Sequence, residues 1–459
     1  MNISSSKKHL RLWAWGLISL LTCISSNTHA VLNIANSANT TSTANTANST
    51  NTVKNNFPLT LNSAIKRTLI NNPQLHEFDF KQQINTGEAT TAALKPGYAL
   101  GVELENLLGS GDVSGIKDVE LTLTLSSVIE LGDKVVARKN VSEVKQQMLM
   151  AQRKLRTLDI LAEVMRRYID VLAEQETLHV VNDAEQLARY TYQAVTRRVK
   201  AGASPIVEQK RAEAALALAR LDVLTAKQRL QTSIKSLSIM WGEQQPRFTQ
   251  VQGDLFSLPP APSFPTLIAA LSSSPHIQLF AHRSRVRNAQ LRLTQAANQP
   301  DISWTAGIRS ISSIDETTWV AAASVPLFSE NRNLGEYTAQ KARLDQIEQQ
   351  KQTSLRHLYH QINQALDARN RALLKVSTFQ QYIIPPLKEA LKLVEKAYSD
   401  GRFSYLEWVS TRKELLDAQH ALIQSAKQAH QRGADIEALT GISIVSVPRD
   451  IPSPILKEQ

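Results

Sequence analysis

The chain has 459 residues, of which 42% are hydrophobic and only 5% aromatic, with a formal charge of +11 and a single cysteine. That apolar share excludes a mostly disordered protein, and scarce aromatics beside abundant Ala, Leu, Gln, Arg and Lys favour long helices over one compact core. Basic residues are interspersed with acids along helical stretches rather than clustered with aromatics, which argues against a nucleic-acid site.

Residues 1–30 read as a secretory signal. Lys7, Lys8 and Arg11 precede an apolar stretch from Leu12 to Ile24, and Thr28-His29-Ala30 fits a cleavage site that leaves Val31 first. Loss of those three cations from 52 leaves 49 against 41 acids, a charge of +8. Cys23 lies inside the signal, so the mature chain has no thiol for a disulfide, metal site or nucleophile. A lipid-modified Cys23 is the alternative, and Thr22 is a poor residue before such a cleavage point. Residues 31–58, mostly Asn, Thr, Ser and Ala, form a flexible tether that cannot bury apolar surface. No later stretch has the apolar length of a spanning helix, so any membrane crossing is by strands.

The remainder divides into two similar halves, 59–242 and 263–442, joined by a linker at 243–262 and followed by a tail at 443–459. Leu61 to Leu75 resembles Ser263 to Ile277, with Pro73 and Pro275 in register. Gly202 to Gly242 and Gly401 to Gly441 are equal in spacing, and Val207/Leu406, Glu208/Glu407, Leu224/Ile423 and Met240/Leu439 fall in register between them. Gly202 and Gly401 suit tight helix-to-helix turns, Gly242 and Gly441 helix C-caps. Each half therefore carries an antiparallel helical hairpin, at about 134–242 and 333–441. The stretch from Lys134 to Val199 reaches roughly 100 Å if continuous. Alanines recurring at 212, 215, 219 and 226, and at 418, 421 and 429, let helices pack closely as in a coiled-coil wall.

Ahead of each hairpin the period changes to two. Tyr98, Leu100, Val102 and Leu104 alternate with Ala99, Gly101, Glu103 and Glu105, and Val119 to Ser126 repeats the pattern. Ile302, Trp304, Ala306 and Ile308 alternate with Ser303, Thr305, Gly307 and Arg309, and a fourth run spans Thr318 to Val325. Strands are expected at about 97–107, 118–128, 301–311 and 317–327. Each has the length of a tilted bilayer-crossing strand, with Tyr98, Trp304 and Trp319 as interface anchors. Half-buried strands of a soluble sheet would alternate in the same way. Attachment to an exported chain with very long helices favours the membrane. Four strands cannot close a barrel, and open edges are not tolerated in lipid, so three copies sharing twelve strands are expected.

This layout resembles the TolC family of outer-membrane factors from about Leu59 to Ile442. The resemblance implies an α+β membrane protein: a homotrimer whose twelve-stranded outer-membrane barrel continues as a helical coiled-coil tunnel into the periplasm. The segment from Ser127 to Arg138 resembles the strand-to-helix passage of CzcC-type heavy-metal efflux members, with Asp133-Lys134-Val135 where they carry Gly-Lys-Arg. Val325 to Arg332 resembles the equivalent turn of the second half, and Tyr398 to Val409 the tip of the second hairpin, where the tunnel narrows. An acid six residues after the tip glycine often helps form a selective ring there, and Glu407 matches it. A second acid found in some members is replaced by Ser410; Glu208 is the weaker counterpart in the first hairpin. A carboxylate ring favours cations; the plainer role of Glu407 is a helix-start acid. The implied partners are a periplasmic adaptor, an inner-membrane RND-type pump and outer-membrane lipid. The implied substrate is divalent heavy metal such as cobalt, zinc or cadmium, with organic drugs or secreted polypeptides as alternatives. An envelope coiled-coil scaffold is the alternative of another class, and it would need no barrel.

No catalytic, cofactor or metal-binding residues are expected. His357 and His360 share a helix face without an acidic partner, and His420 and His430 are too far apart to share an ion. Phosphate-binding glycine loops, nucleophile elbows and zinc-protease helices are missing from the sequence.

Overall fold

The computed structural model of the chain describes residues 58–107, 118–327 and 329–442. The expected signal, Cys23, the tether up to residue 57, Phe328 and the tail from 443 lie outside the described residues. Each half begins with a pair of helices: α1 (Leu61–Asn71) and α2 (Pro73–Ala92) in the first, α5 (Phe264–Leu271) and α6 (Pro275–Ala296) in the second. Thr60 and Ser263 cap the first helix of each pair by accepting from Ser63 N and Thr266 N. Pro73 and Pro275 open the second helices, where a missing N–H costs nothing.

Strands β1 (Ala99–Glu105) and β2 (Glu120–Ile129) follow α2, and β3 (Ile302–Ile311) and β4 (Glu316–Ser324) follow α6. They form one four-stranded antiparallel sheet in sequence order. β1 is shorter than the alternation suggests because Asn106 takes a positive φ of 58° and turns the chain away. β4 runs from Glu316 instead of 317 and ends at Ser324, ahead of Pro326.

The first hairpin pairs the 67-residue α3 (Lys134–Lys200) with α4 (Ile206–Ser238). The second is α7 (Ser329–Thr378), a π-turn (Phe379–Ile383), α8 (Ile384–Ser399) and α9 (Tyr405–Thr440). The π-turn interrupts the first arm of the hairpin expected at about 333–441. Pro385 and Pro386 lack the N–H groups that would continue the ladder, so the chain takes one wide turn ahead of them. α3 is the spine and packs along α2, α4, α6 and α9.

The main core lies where the linker crosses the helices. Leu59 bridges Val251 in parallel, and side chains of three helices hold the strap. Gln175 of α3 accepts from Val251 N at 2.7 Å and donates to Val251 O at 3.1 Å, while Tyr168 donates to Leu59 O and Gln252 O. Arg369 of α7 donates to Pro259 O at 2.7 Å, and His430 Nε2 of α9 faces Leu255 O at 2.9 Å. Burial pushes the Tyr168 phenol up and the His430 ring down.

For His430, burial and the neighbouring Arg369 charge outweigh the Leu255 carbonyl and Asp254, which favour the cation. A histidine whose folded value lies below 6.5 takes up protons more readily unfolded. Its contribution to stability is therefore complete above about pH 6.5 and shrinks as pH falls below it. The expected outcome is a thermal midpoint that drops between pH 7.5 and 5, with a shallower drop in His430→Gln. Parallel pH profiles of the two proteins would remove His430 as the cause.

Candidate functional site

Two regions stand out from the helical body, and the first is the sheet. Its register stacks residues of like polarity across all four strands. Leu100, Leu125, Ala306 and Ala321 share one row, and Val102, Leu123, Ile308 and Trp319 the next. Trp319 on β4 is 87% exposed, and on the same face at the opposite edge Tyr98, Leu100, Val102 and Leu104 are exposed as well. An apolar face this open matches a lipid-facing surface. Tyr98 and Trp304 pack edge to face at 6.3 Å at the helix-side end, and Trp319 sits toward the other end, near the turn at 312–315. These positions suit aromatic girdles at two interfaces.

The opposite face is polar. Arg309 bonds Thr122 Oγ1 at 3.0 Å and pairs with Glu120 at 3.0 Å and Glu105 at 3.1 Å, tying three strands together. Thr124 lies between Gly101 and Gly307 on this face. A Cβ on Gly101 would meet Thr124 Oγ1 at 2.6 Å, and one on Gly307 would meet Leu123 O at 2.2 Å. Close backbone approach at strand glycines is what lets a sheet coil towards closure. β1 and β4 are left as open edges.

The second region is the pair of hairpin tips. Gly202 and Gly401 take φ of +71° and +77°, the left-handed turn that ends α3 and α8, and Gly242 and Gly441 cap the far ends at +78° and +76°. The two tips are joined by Arg198, in the last turn of α3. Its guanidinium donates to Tyr398 O at 2.7 Å and Ser399 O at 3.0 Å, satisfying carbonyls that the end of α8 leaves open. It also reaches Ser204 Oγ at 3.3 Å and lies 5.0 Å from the Tyr398 ring centre. Tyr398, only 3% exposed, donates through its hydroxyl to Glu208 Oε2 at 3.2 Å and packs on Trp408 at 5.1 Å. Burial raises the Tyr398 phenol, and the Glu208 charge adds to it. This cluster ties the two hairpin tips of the chain to each other.

The two acids named from the repeat are therefore held differently. Glu208 is half-buried in the seam between the tips. Glu407 is exposed, and its Oε2 accepts from Ser404 N at 2.8 Å and Ser404 Oγ at 2.9 Å in a capping box. The first hairpin has Pro205 at that cap and no such box. His357 and His360 are exposed on α7. Among the described residues no group of three or more His, Cys, Asp or Glu is placed to hold a metal ion, and no helix is long and apolar enough to cross a membrane. The Arg198 tie and the strand-packing glycines were not singled out from the sequence. Arg198 sits two hundred residues from its acceptors, and a glycine in an alternating run shows its purpose only once the register is known.

The family described as Outer membrane efflux protein matches residues 64–243 and 267–442. The cobalt-zinc-cadmium resistance protein CzcC of Cupriavidus metallidurans is 24% identical over 384 residues, 84% of this chain and 90% of that protein. The cation efflux system protein CusC of Escherichia coli is 23% identical over 306 residues, 62% of this chain and 66% of CusC. A crystal structure of CusC shares the fold with a TM-score of 0.69 at 17% identity, covering 83% of this chain and 91% of that one.

Proposed function

The chain belongs to the outer membrane efflux protein family, and from that premise we propose that three copies form a passive duct that exports divalent heavy-metal cations. The protein is located in the outer membrane, with its helical hairpins extending into the periplasm. In this reading an inner-membrane RND-type pump and a periplasmic adaptor deliver cobalt, zinc or cadmium to the tips, and the chain conducts without chemistry of its own.

The observation that carries the assembly is the pair of open edges on a lipid-facing sheet, which only further strands can satisfy. The repeat adds support. Ile423 of α9 is 1% exposed, whereas its counterpart Leu224 on α4 is 64% exposed, alongside Leu218 and Leu221. α9 is covered by α3, α7 and α8, while α4 packs chiefly on α3. A neighbouring copy that covers α4 would bury these leucines, each worth about 1.5–3 kcal/mol. Native mass measurement of the detergent-solubilised protein should give three chains, and a monomer in detergent that keeps its helicity would overturn the assembly.

The metal assignment is supported by the relatives named for cobalt-zinc-cadmium resistance and cation efflux. Charge at the tips accords with it. Three exposed Glu407 carboxylates around one axis would favour cations over anions. Glu407→Gln is expected to lower cation selectivity in single-channel recordings while leaving the assembly nearly as stable, since an exposed carboxylate contributes little to packing. Glu208→Gln should change selectivity less, because Tyr398 already engages that carboxylate. Equal selectivity of wild type and Glu407→Gln would reduce Glu407 to its capping role.

A further inference from the structure

Helix α6 departs from its repeat partner in charge. α2 carries Glu77, Asp79 and Glu88 with Lys81, whereas α6 carries Arg283, Arg285, Arg287 and Arg292 and no acid. The acids of α2 are all paired: Glu77 with Lys81 at 2.7 Å, Asp79 with Arg153 at 3.4 Å and Glu88 with Lys145 at 3.7 Å. Among the described residues, none of the four arginines of α6 has an acid within ion-pair distance. Arg287 instead donates to Gln290 Oε1 at 2.9 Å, and Arg283 lies 5.2 Å from the Phe280 ring centre. Like charges spaced i, i+4 oppose a helix, so Arg283 and Arg287 weaken α6, and no ion pair among the described residues offsets this.

Both are half-buried and line a groove of about 560 Å³ between α2, α3, α6 and α7. Lys81, Lys145 and Arg343 line it as well, and Glu88 is the one acid. Lys81, Lys145 and Arg343 have carboxylate partners in Glu77, Glu88 and Glu336. That leaves the positive charge concentrated at Arg283 and Arg287. On the same face of α6 lies Val286, which with Ile347 of α7 gives the groove a buried apolar lining. From Lys81 to Glu88, the groove lies roughly 6–17 Å along α2 from its strand-side end at Ala92. It therefore belongs to the helical part and not to the lipid-facing strands.

We propose that this groove binds a soluble amphipathic anion. Its phosphate, sulfonate or carboxylate head sits between Arg283 and Arg287, and its apolar body lies against Val286 and Ile347. Paired guanidinium groups suit an oxyanion geometrically as well as by charge. The site is independent of the metal reading, because a cation would be repelled here.

Titration calorimetry with 2-naphthyl phosphate on the full chain in nanodiscs of neutral lipid tests it. Saturable binding of one molecule per chain is expected, with affinity lower by at least about tenfold in Arg283→Gln/Arg287→Gln and lowered by clearly less in Arg283→Lys/Arg287→Lys, which keeps the charge but not the fork geometry. The smaller loss in the lysine pair separates loss of the anion site from loss of the fold. The uncharged 2-naphthol should bind no better to wild type than to the glutamine pair. Equal affinity of wild type and the glutamine pair, or no saturable binding to either, would overturn the proposal. Competition by phosphatidylglycerol in the nanodisc would also overturn it, by assigning the groove to a lipid headgroup.

Discussion

Gly307→Ala is expected to abolish assembly in the outer membrane, while Gly101→Ala only weakens it. The two glycines flank the same threonine, but what a methyl group would meet differs. At Gly307 the added carbon falls 2.2 Å from Leu123 O and 3.0 Å from Thr124 Cα, both backbone atoms of the strand paired with β3. Relief requires β2 and β3 to part across the register that stacks the lipid-facing rows, at a cost of several kcal/mol. At Gly101 the clash is with Thr124 Oγ1 at 2.6 Å, a side-chain atom that a rotation about χ1 removes. Gel analysis of outer-membrane fractions should show little Gly307→Ala oligomer and an intermediate amount of Gly101→Ala oligomer. Normal amounts of Gly307→Ala would mean that β2 and β3 do not approach as closely as the register implies.

Arg198→Ala is expected to loosen the tips and raise single-channel conductance several-fold. One guanidinium holds two α8 carbonyls, a hydroxyl of the first turn and the face of Tyr398. Hydrogen bonds from a charged donor contribute about 1.5–3 kcal/mol each, less where solvent competes as it does here. Losing them leaves the Tyr398 hydroxyl, through Glu208 and Ser204, to tie the tips together, so the closed state loses much of its advantage. Tyr398→Phe should give a smaller rise, because the ring still packs on Trp408. Unchanged conductance in Arg198→Ala channels would show that closure rests on apolar packing around Trp408 alone.

Much of this architecture is legible in the sequence, for reasons local to each element. The Gly202 and Gly401 turns are visible because left-handed backbone needs glycine, and the strands because a half-lipid, half-polar sheet forces period two. The π-turn before Pro385 is the exception among the helices, since an apolar periodicity of 3.6 does not register one wide turn. Long-range contacts leave no such trace. The sequence offers nothing to pair Arg198 with Tyr398, or Arg369 and His430 with the linker carbonyls they reach. His430, too distant from His420 to share an ion, acts as a buried clip on Leu255 instead.

If this chain is the proposed exit for metal, cells without it retain metal. Cell-associated zinc, cobalt and cadmium, measured by mass spectrometry in a strain lacking only this chain, should all or severally rise under metal load and return to the parental level when the wild-type chain is restored. Unchanged content of all three metals, in cells whose pump and adaptor are intact, would contradict the account.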